Sequence, residues 1–127
     1  MYHLTMDEML FFDSYPDMLP IYEKLMNWLT DKYSDVSIRV GKTSISLRNK
    51  HVFTTVSLPW RKVKGWPQRY LLLSIGLSYH KNSPKVRYAA EPYPNRWTHH
   101  ILLETIEEFD EDIKIWLDEA YLFSKSK

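Results

Sequence analysis

The stretch Val36-Ser37-Ile38-Arg39-Val40-Gly41-Lys42-Thr43-Ser44-Ile45-Ser46-Leu47-Arg48-Asn49-Lys50-His51-Val52-Phe53-Thr54-Thr55-Val56-Ser57-Leu58 decides the fold class. Val36, Ile38 and Val40 alternate with Ser37 and Arg39. Thr43, Ile45 and Leu47 alternate with Ser44, Ser46 and Arg48, and Val52, Thr54, Val56 and Leu58 continue the pattern. A period of two sends successive side chains to opposite faces of a strand. Gly41-Lys42 and Asn49-Lys50 are the intervening turns, short enough to demand antiparallel hairpins.

Toward the C-terminus the long connection Pro59–Pro67 leads to a fourth strand, Tyr70 to Tyr79. Its Leu71, Leu73, Ile75 and Leu77 share one face, and Leu72, Ser74, Gly76 and Ser78 the other. Lys85 to Ala89 is a weaker strand, Glu91–Asn95 a connection, and Trp97 to Leu103 the last strand. Outside the sheet the period becomes helical. Thr5 and Glu8 form a capping box over a short turn through Phe11 and Phe12. Asp17 caps a long helix with Pro20 in its first turn, where a missing N–H costs nothing. Met18, Tyr22, Leu25, Leu29 and Tyr33 form its apolar stripe, flanked by Ile21 and Trp28. Thr105 and Glu108 make a second capping box, opening a terminal helix with Ile106, Phe109, Ile113, Trp116, Leu117 and Ala120 on its stripe.

The expected fold is a single α+β domain over residues 1–127. It has an N-terminal helix, a five- or six-stranded mostly antiparallel sheet and a C-terminal helix, arranged as a two-layer sandwich. Helices on one sheet face leave the other solvated, with Ser37, Arg39, Ser44, Ser46, Arg48 and Ser74 upon it.

Composition removes several classes of function. There is no cysteine, so disulfides and thiolate–metal sites are excluded. Gly41, Gly65 and Gly76 stand singly, so no glycine-rich phosphate loop can form. No apolar run approaches the roughly 20 residues of a membrane span, and Met1 to Glu8 lacks a secretory signal pattern. A cytoplasmic protein without metal or cofactor is expected.

A net charge of +1 conceals a division along the chain. Residues 1–34 hold two lysines against six acids, residues 35–100 twelve cations against Asp35 and Glu91, and residues 101–127 three lysines against eight acids. The helices are therefore acidic and the sheet and its loops basic, a polarity that attracts and steers anions.

Arg96-Trp97-Thr98-His99-His100, preceded by Glu91-Pro92-Tyr93-Pro94-Asn95, resembles the hallmark of an uncharacterised bacterial domain family. Lys42 to Arg48 is similar to that family's lysine–threonine hairpin, and Phe11-Phe12 and Trp116 to Tyr121 also fit. The resemblance implies a compact α+β domain of unknown function, sometimes labelled a predicted transport protein, and supplies no activity.

Three constellations carry candidate chemistry. Arg39, Lys42, Thr43, Arg48, Arg96, Trp97, Thr98, His99 and His100 are candidate ligand-binding residues, in which arginines, a lysine and hydroxyls grip a phosphate or carboxylate. The adjacent His99 and His100 point to opposite faces, so one belongs to the core and the other to the open side. Trp60, Arg61, Lys62, Lys64 and Trp66 interleave cations with aromatics, the composition that holds single-stranded nucleic acid. The same composition suits a loop whose tryptophans plug a sheet edge while its cations stay wet. A Ser–His–acid arrangement can be drawn from Ser74, His100 and Glu91, without a nucleophile elbow to support it.

The favoured function is a non-catalytic module whose basic open sheet face, with the basic loop, binds an anionic partner: nucleic acid, nucleotide or acidic protein. The alternatives are a homodimeric interaction module, and a small enzyme using His99 or His100 with Lys42 and Glu91.

Overall fold

The computed structural model describes residues 2–127. Two short helical pieces and one long helix precede the sheet. Helix α1 (Met6–Phe11) opens on the Thr5–Glu8 capping box. A 3-10 turn at Pro16–Met18 leads into α2 (Leu19–Lys32), which keeps Pro20 in its first turn. Six strands follow: β1 (Ser37–Val40), β2 (Ser44–Arg48), β3 (Val52–Ser57), β4 (Leu71–Leu77), β5 (Tyr88–Tyr93) and β6 (Arg96–Leu103). Helix α3 (Glu111–Ser126) closes the fold. The sheet is antiparallel throughout, with spatial order β1-β2-β3-β4-β6-β5. Residues 2–127 thus form an α+β fold with an N-terminal helix, a six-stranded antiparallel sheet and a C-terminal helix.

One core joins the layers. Ile21, Tyr22, Leu25, Met26 and Leu29 of α2 and Ile113, Trp116, Leu117 and Ala120 of α3 bury against Ile45, Leu47, Val56, Leu71, Leu73, Ile75 and Leu77 of the sheet. The helices are tied across Asp118, which accepts from Lys32 Nζ at 2.6 Å and from Tyr33 Oη at 2.5 Å. Tyr33 also stacks on Tyr121 with ring centres 3.6 Å apart.

Several boundaries differ from the sequence reading, each for a local reason. Asp17 does not cap α2; it lies in the 3-10 turn and pairs with Arg69. The Thr105–Glu108 box closes its own 3-10 turn at Ile106–Glu108, and Asp110 caps α3 by accepting from Ile113 N. Ile106 is therefore exposed rather than part of the stripe. The fifth strand runs through Glu91-Pro92-Tyr93, and Asn95 makes the turn with φ 61°. Proline is tolerated there because β5 is an edge strand. In β3 a bulge opposite Leu47 and Arg48 resets the alternation. Phe53 and Thr54 are both buried and Val52 is exposed, because an extra bulge residue shifts the pleat.

Candidate functional site

The loop between β3 and β4 is anchored at both ends to the N-terminal segment. Tyr15 Oη donates to the Pro59 carbonyl at 3.2 Å. Arg69 donates to both carboxylate oxygens of Asp17, at 2.8 Å through Nε and 2.5 Å through Nη2, and its guanidinium lies over the Tyr15 ring. Between these feet the chain turns at Val63–Trp66, where Trp66 N donates to the Val63 carbonyl at 3.1 Å. Gly65 takes φ 85° in that turn, a conformation a side chain would strain. Arg87 Nη1 reaches the Gly65 carbonyl at 3.5 Å from the lead-in to β5.

The loop borders a half-open concavity of about 900 Å³ lined by residues 59–64, 66–69 and Tyr15, and no acid is among them. Trp60 is 71% exposed, with the Arg61 guanidinium over one face of its ring. Trp66 is half-buried and packs edge-on against Tyr70. Of the two tryptophans, only Trp66 is tucked toward the body of the protein.

The second constellation lies on the sheet face opposite the helices. The pairing register sets Arg39, Ser46, Thr55, Ser74, His100 and Tyr88 side by side across all six strands. Directly opposed residues share a face, so this is one polar row. Ser74 Oγ and His100 Nδ1 are 2.8 Å apart, and Tyr88 stacks on the imidazole. Thr98 lies on the same face one step along β6.

His99 occupies the other face and is 1% exposed. Its Nε2 accepts from Lys81 N at 2.9 Å, and His80 stacks on it with centres 6.0 Å apart. Trp97 shares that side and contacts His80. Adjacent histidines are thus separated by the thickness of the sheet. No carboxylate hydrogen-bonds either of them among the described residues, and Glu91 instead accepts from Asn95 N at 3.1 Å. Nor does any cluster of three metal-ligating side chains occur among the described residues.

The remaining candidates divide between the two ends of the sheet. Lys42 and Thr43 lie on the β1–β2 turn, at the end where β3 gives way to the aromatic loop. Arg48 and Arg96 lie at the opposite end, beside the β2–β3 turn and the start of β6. Tyr15 and Tyr88 complete the loop and the polar row, and sequence reading missed both. Tyr15 lies 44 residues from Pro59, its hydrogen-bond partner, and no local pattern announces such a contact.

A family model described as a domain of unknown function, DUF5655, matches residues 9–124, nearly the whole chain. The chain belongs to the DUF5655 family. No curated protein and no solved structure matches it. Within this DUF5655 domain the match takes in α2, all six strands, the aromatic loop and most of α3.

Ion pairing separates six cations of the DUF5655 domain from those of the candidate sites. Lys32, Arg69, Lys81, Lys85, Lys114 and Lys125 each pair with a carboxylate, namely Asp118, Asp17, Glu119, Asp110 with Asp112, Glu111 and Asp35 respectively. Among the described residues no ion pair reaches Arg39, Lys42, Arg48, Arg61, Lys62, Lys64 or Arg96. Burial holds His100 below the usual histidine range. It does the same to His99, against an opposing contribution from the Ile75 backbone. Both imidazoles are therefore neutral near pH 7, and the positive field at the loop comes from Arg61, Lys62 and Lys64. No helix among the described residues is long and apolar enough to cross a membrane.

Proposed function

We propose that this DUF5655 domain is a non-catalytic module that binds an anionic partner at the loop between β3 and β4. One observation carries the reading. The loop's concavity is lined by Arg61, Lys62 and Lys64, which have no carboxylate partner among the described residues, and by Tyr15, Trp60 and Trp66, with no acid in its walls. Cations without partners cost nothing to recruit, whereas a paired one must first give up its carboxylate. On binding they also displace the cations condensed on a polyanion, a release that is favourable at low salt. The acidic helices on the far layer would repel the same partner and so orient its approach.

The loop is favoured over the open sheet face because the cations of that face are dispersed. Arg39 is level with His100 but four strands away on edge strand β1, Lys42 lies at the β1–β2 turn, and Arg48 and Arg96 lie at the opposite end of the sheet. The Ser74–His100 pair lies between them with a neutral imidazole.

Titration with fluorescent heparin over a range of salt concentrations tests the proposal. Binding is expected to weaken linearly in log salt, and the variant Arg61→Gln/Lys62→Gln/Lys64→Gln to lower both affinity and slope. Loss of three phosphate-type contacts corresponds to about two to three units of slope. Equal binding by the variant and the parent chain would overturn the assignment to this loop.

A further inference from the structure

We infer that the anion taken by this loop is a single-stranded nucleic acid, bound with a base stacked on Trp60. The inference rests on the anion-binding reading above and narrows it. Three features of the loop select this ligand.

The first is the half-occupied indole. Arg61 covers one face of Trp60, with its guanidinium carbon 5.1 Å from the ring centre, while the residue as a whole is 71% exposed. A large exposed aromatic is costly in water, and a planar ligand on its free face relieves that cost. Every base has such a face, and the arginine on the other side strengthens the stack.

The second is the interleaving of charge and ring. Trp60, Arg61, Lys62, Lys64 and Trp66 fall within one turn-forming segment, so indoles and cations line one concavity. A single strand presents unstacked bases and phosphates at similar intervals. A duplex hides its base faces, and a sulfated polysaccharide or an acidic peptide has no bases to stack. A membrane surface favours a convex loop whose tryptophans project together, whereas here Trp66 is tucked against Tyr70.

The third is pre-organisation. The Tyr15–Pro59 hydrogen bond, the Arg69–Asp17 fork and the Arg87–Gly65 contact fix the loop before any ligand arrives. Ordering costs on binding are then small.

The experiment compares three probes on the full chain: an oligothymidylate of about ten nucleotides, an abasic strand of equal phosphate count, and phosphatidylserine-containing vesicles. Site sizes of this order are usual for stacking platforms. The oligothymidylate is expected to bind more tightly than the abasic strand and to quench tryptophan fluorescence. Trp60→Ala should reduce its affinity roughly 5- to 150-fold and weaken abasic binding far less, and Trp60→Phe should retain most of the affinity for the oligothymidylate. Because Trp60 is exposed, these variants should keep the parent's circular dichroism and melting temperature. Equal affinity for the base-bearing and abasic strands, or a preference for vesicles, overturns the stacking inference and leaves an anion site. Absence of binding to any of the probes and to heparin at low salt overturns both readings.

Discussion

Ser74 Oγ and His100 Nδ1 meet at 2.8 Å on the sheet face that the helices leave open. His99, one residue away, is sealed beneath that sheet. The two imidazoles differ in surroundings, yet burial lowers both pKa values.

That shared direction predicts a pH dependence of stability. The unfolded chain titrates its histidines near about 6.5, whereas the folded chain takes up those protons only at lower pH. Below about 6.5 the unfolded state therefore binds more protons, and stability falls as pH drops toward the folded values. Asp17, held low by Arg69, and Asp35, held low by Lys125 and Tyr121, contribute a further loss only at more acidic pH. Denaturant midpoints should be flat from neutral to mildly alkaline pH and decline on acidification through the histidine range. His100→Gln should remove part of that decline. A midpoint unchanged between about pH 7 and 5 would count against buried, neutral imidazoles.

Glu8 is a carboxylate with 1% exposure, accepting from Tyr22 Oη, from Tyr2 Oη at 2.7 Å and from Thr5 N at 2.9 Å. Burial, reinforced by Glu8, pushes the Tyr22 phenol well above its ordinary value. Glu8→Ala should destabilise the domain by about 2–4 kcal/mol, because it strands the buried Tyr22 hydroxyl. Tyr22→Phe should cost about 1–2 kcal/mol, since the other donors still satisfy the carboxylate. Urea unfolding measures both, and the order of the two effects is the discriminating result.

Gly76 sits in the interior of β4, on the face away from the helices. A Cβ there would meet only the Phe53 carbonyl oxygen, at 3.8 Å, an ordinary contact. Gly76→Ala should be neutral or raise stability by about 0.5–1 kcal/mol through reduced freedom of the unfolded chain. Thermal melting checks this. A clear loss of stability would mean that something covers this part of the open face.

Arg69 clamps one foot of the aromatic loop through Asp17 and Tyr15. The pair is exposed, so Arg69→Ala should leave global stability nearly unchanged. Local order should fall instead. Amide exchange at Trp66, whose N–H is held by the Val63 carbonyl, is expected to accelerate relative to amides in β4. Hydrogen exchange with fragment-level mass spectrometry resolves the two regions.

Legibility in the sequence followed the range of the interactions. The capping box at Thr5–Glu8 spans three residues and forms as the residues indicate. The identical pattern at Thr105–Glu108 also forms, but a single 3-10 turn ends it and Asp110 starts the helix. Asp17 had the right chemistry for a cap, yet Arg69, 52 residues on, took its carboxylate. In β3 strict alternation failed at Val52 and Phe53, because a bulge depends on the partner strand and leaves no mark in its own sequence.

Period-two alternation in residues 36–58 and helical spacing at both ends were enough to specify an α+β chain. The strand reading of Trp97 to Leu103 established that His99 and His100 point apart, because direction along one strand is a local property. Packing of α2 and α3 onto the sheet assigned His99 to the interior and His100 to the open face. Strand order β4-β6-β5 then brought Ser74 and Tyr88 to His100. The Tyr15 and Asp17 anchors shaped the basic loop into a concavity. These contacts join residues far apart in the chain, and their free energy is realised only when the hydrophobic layers close on one another.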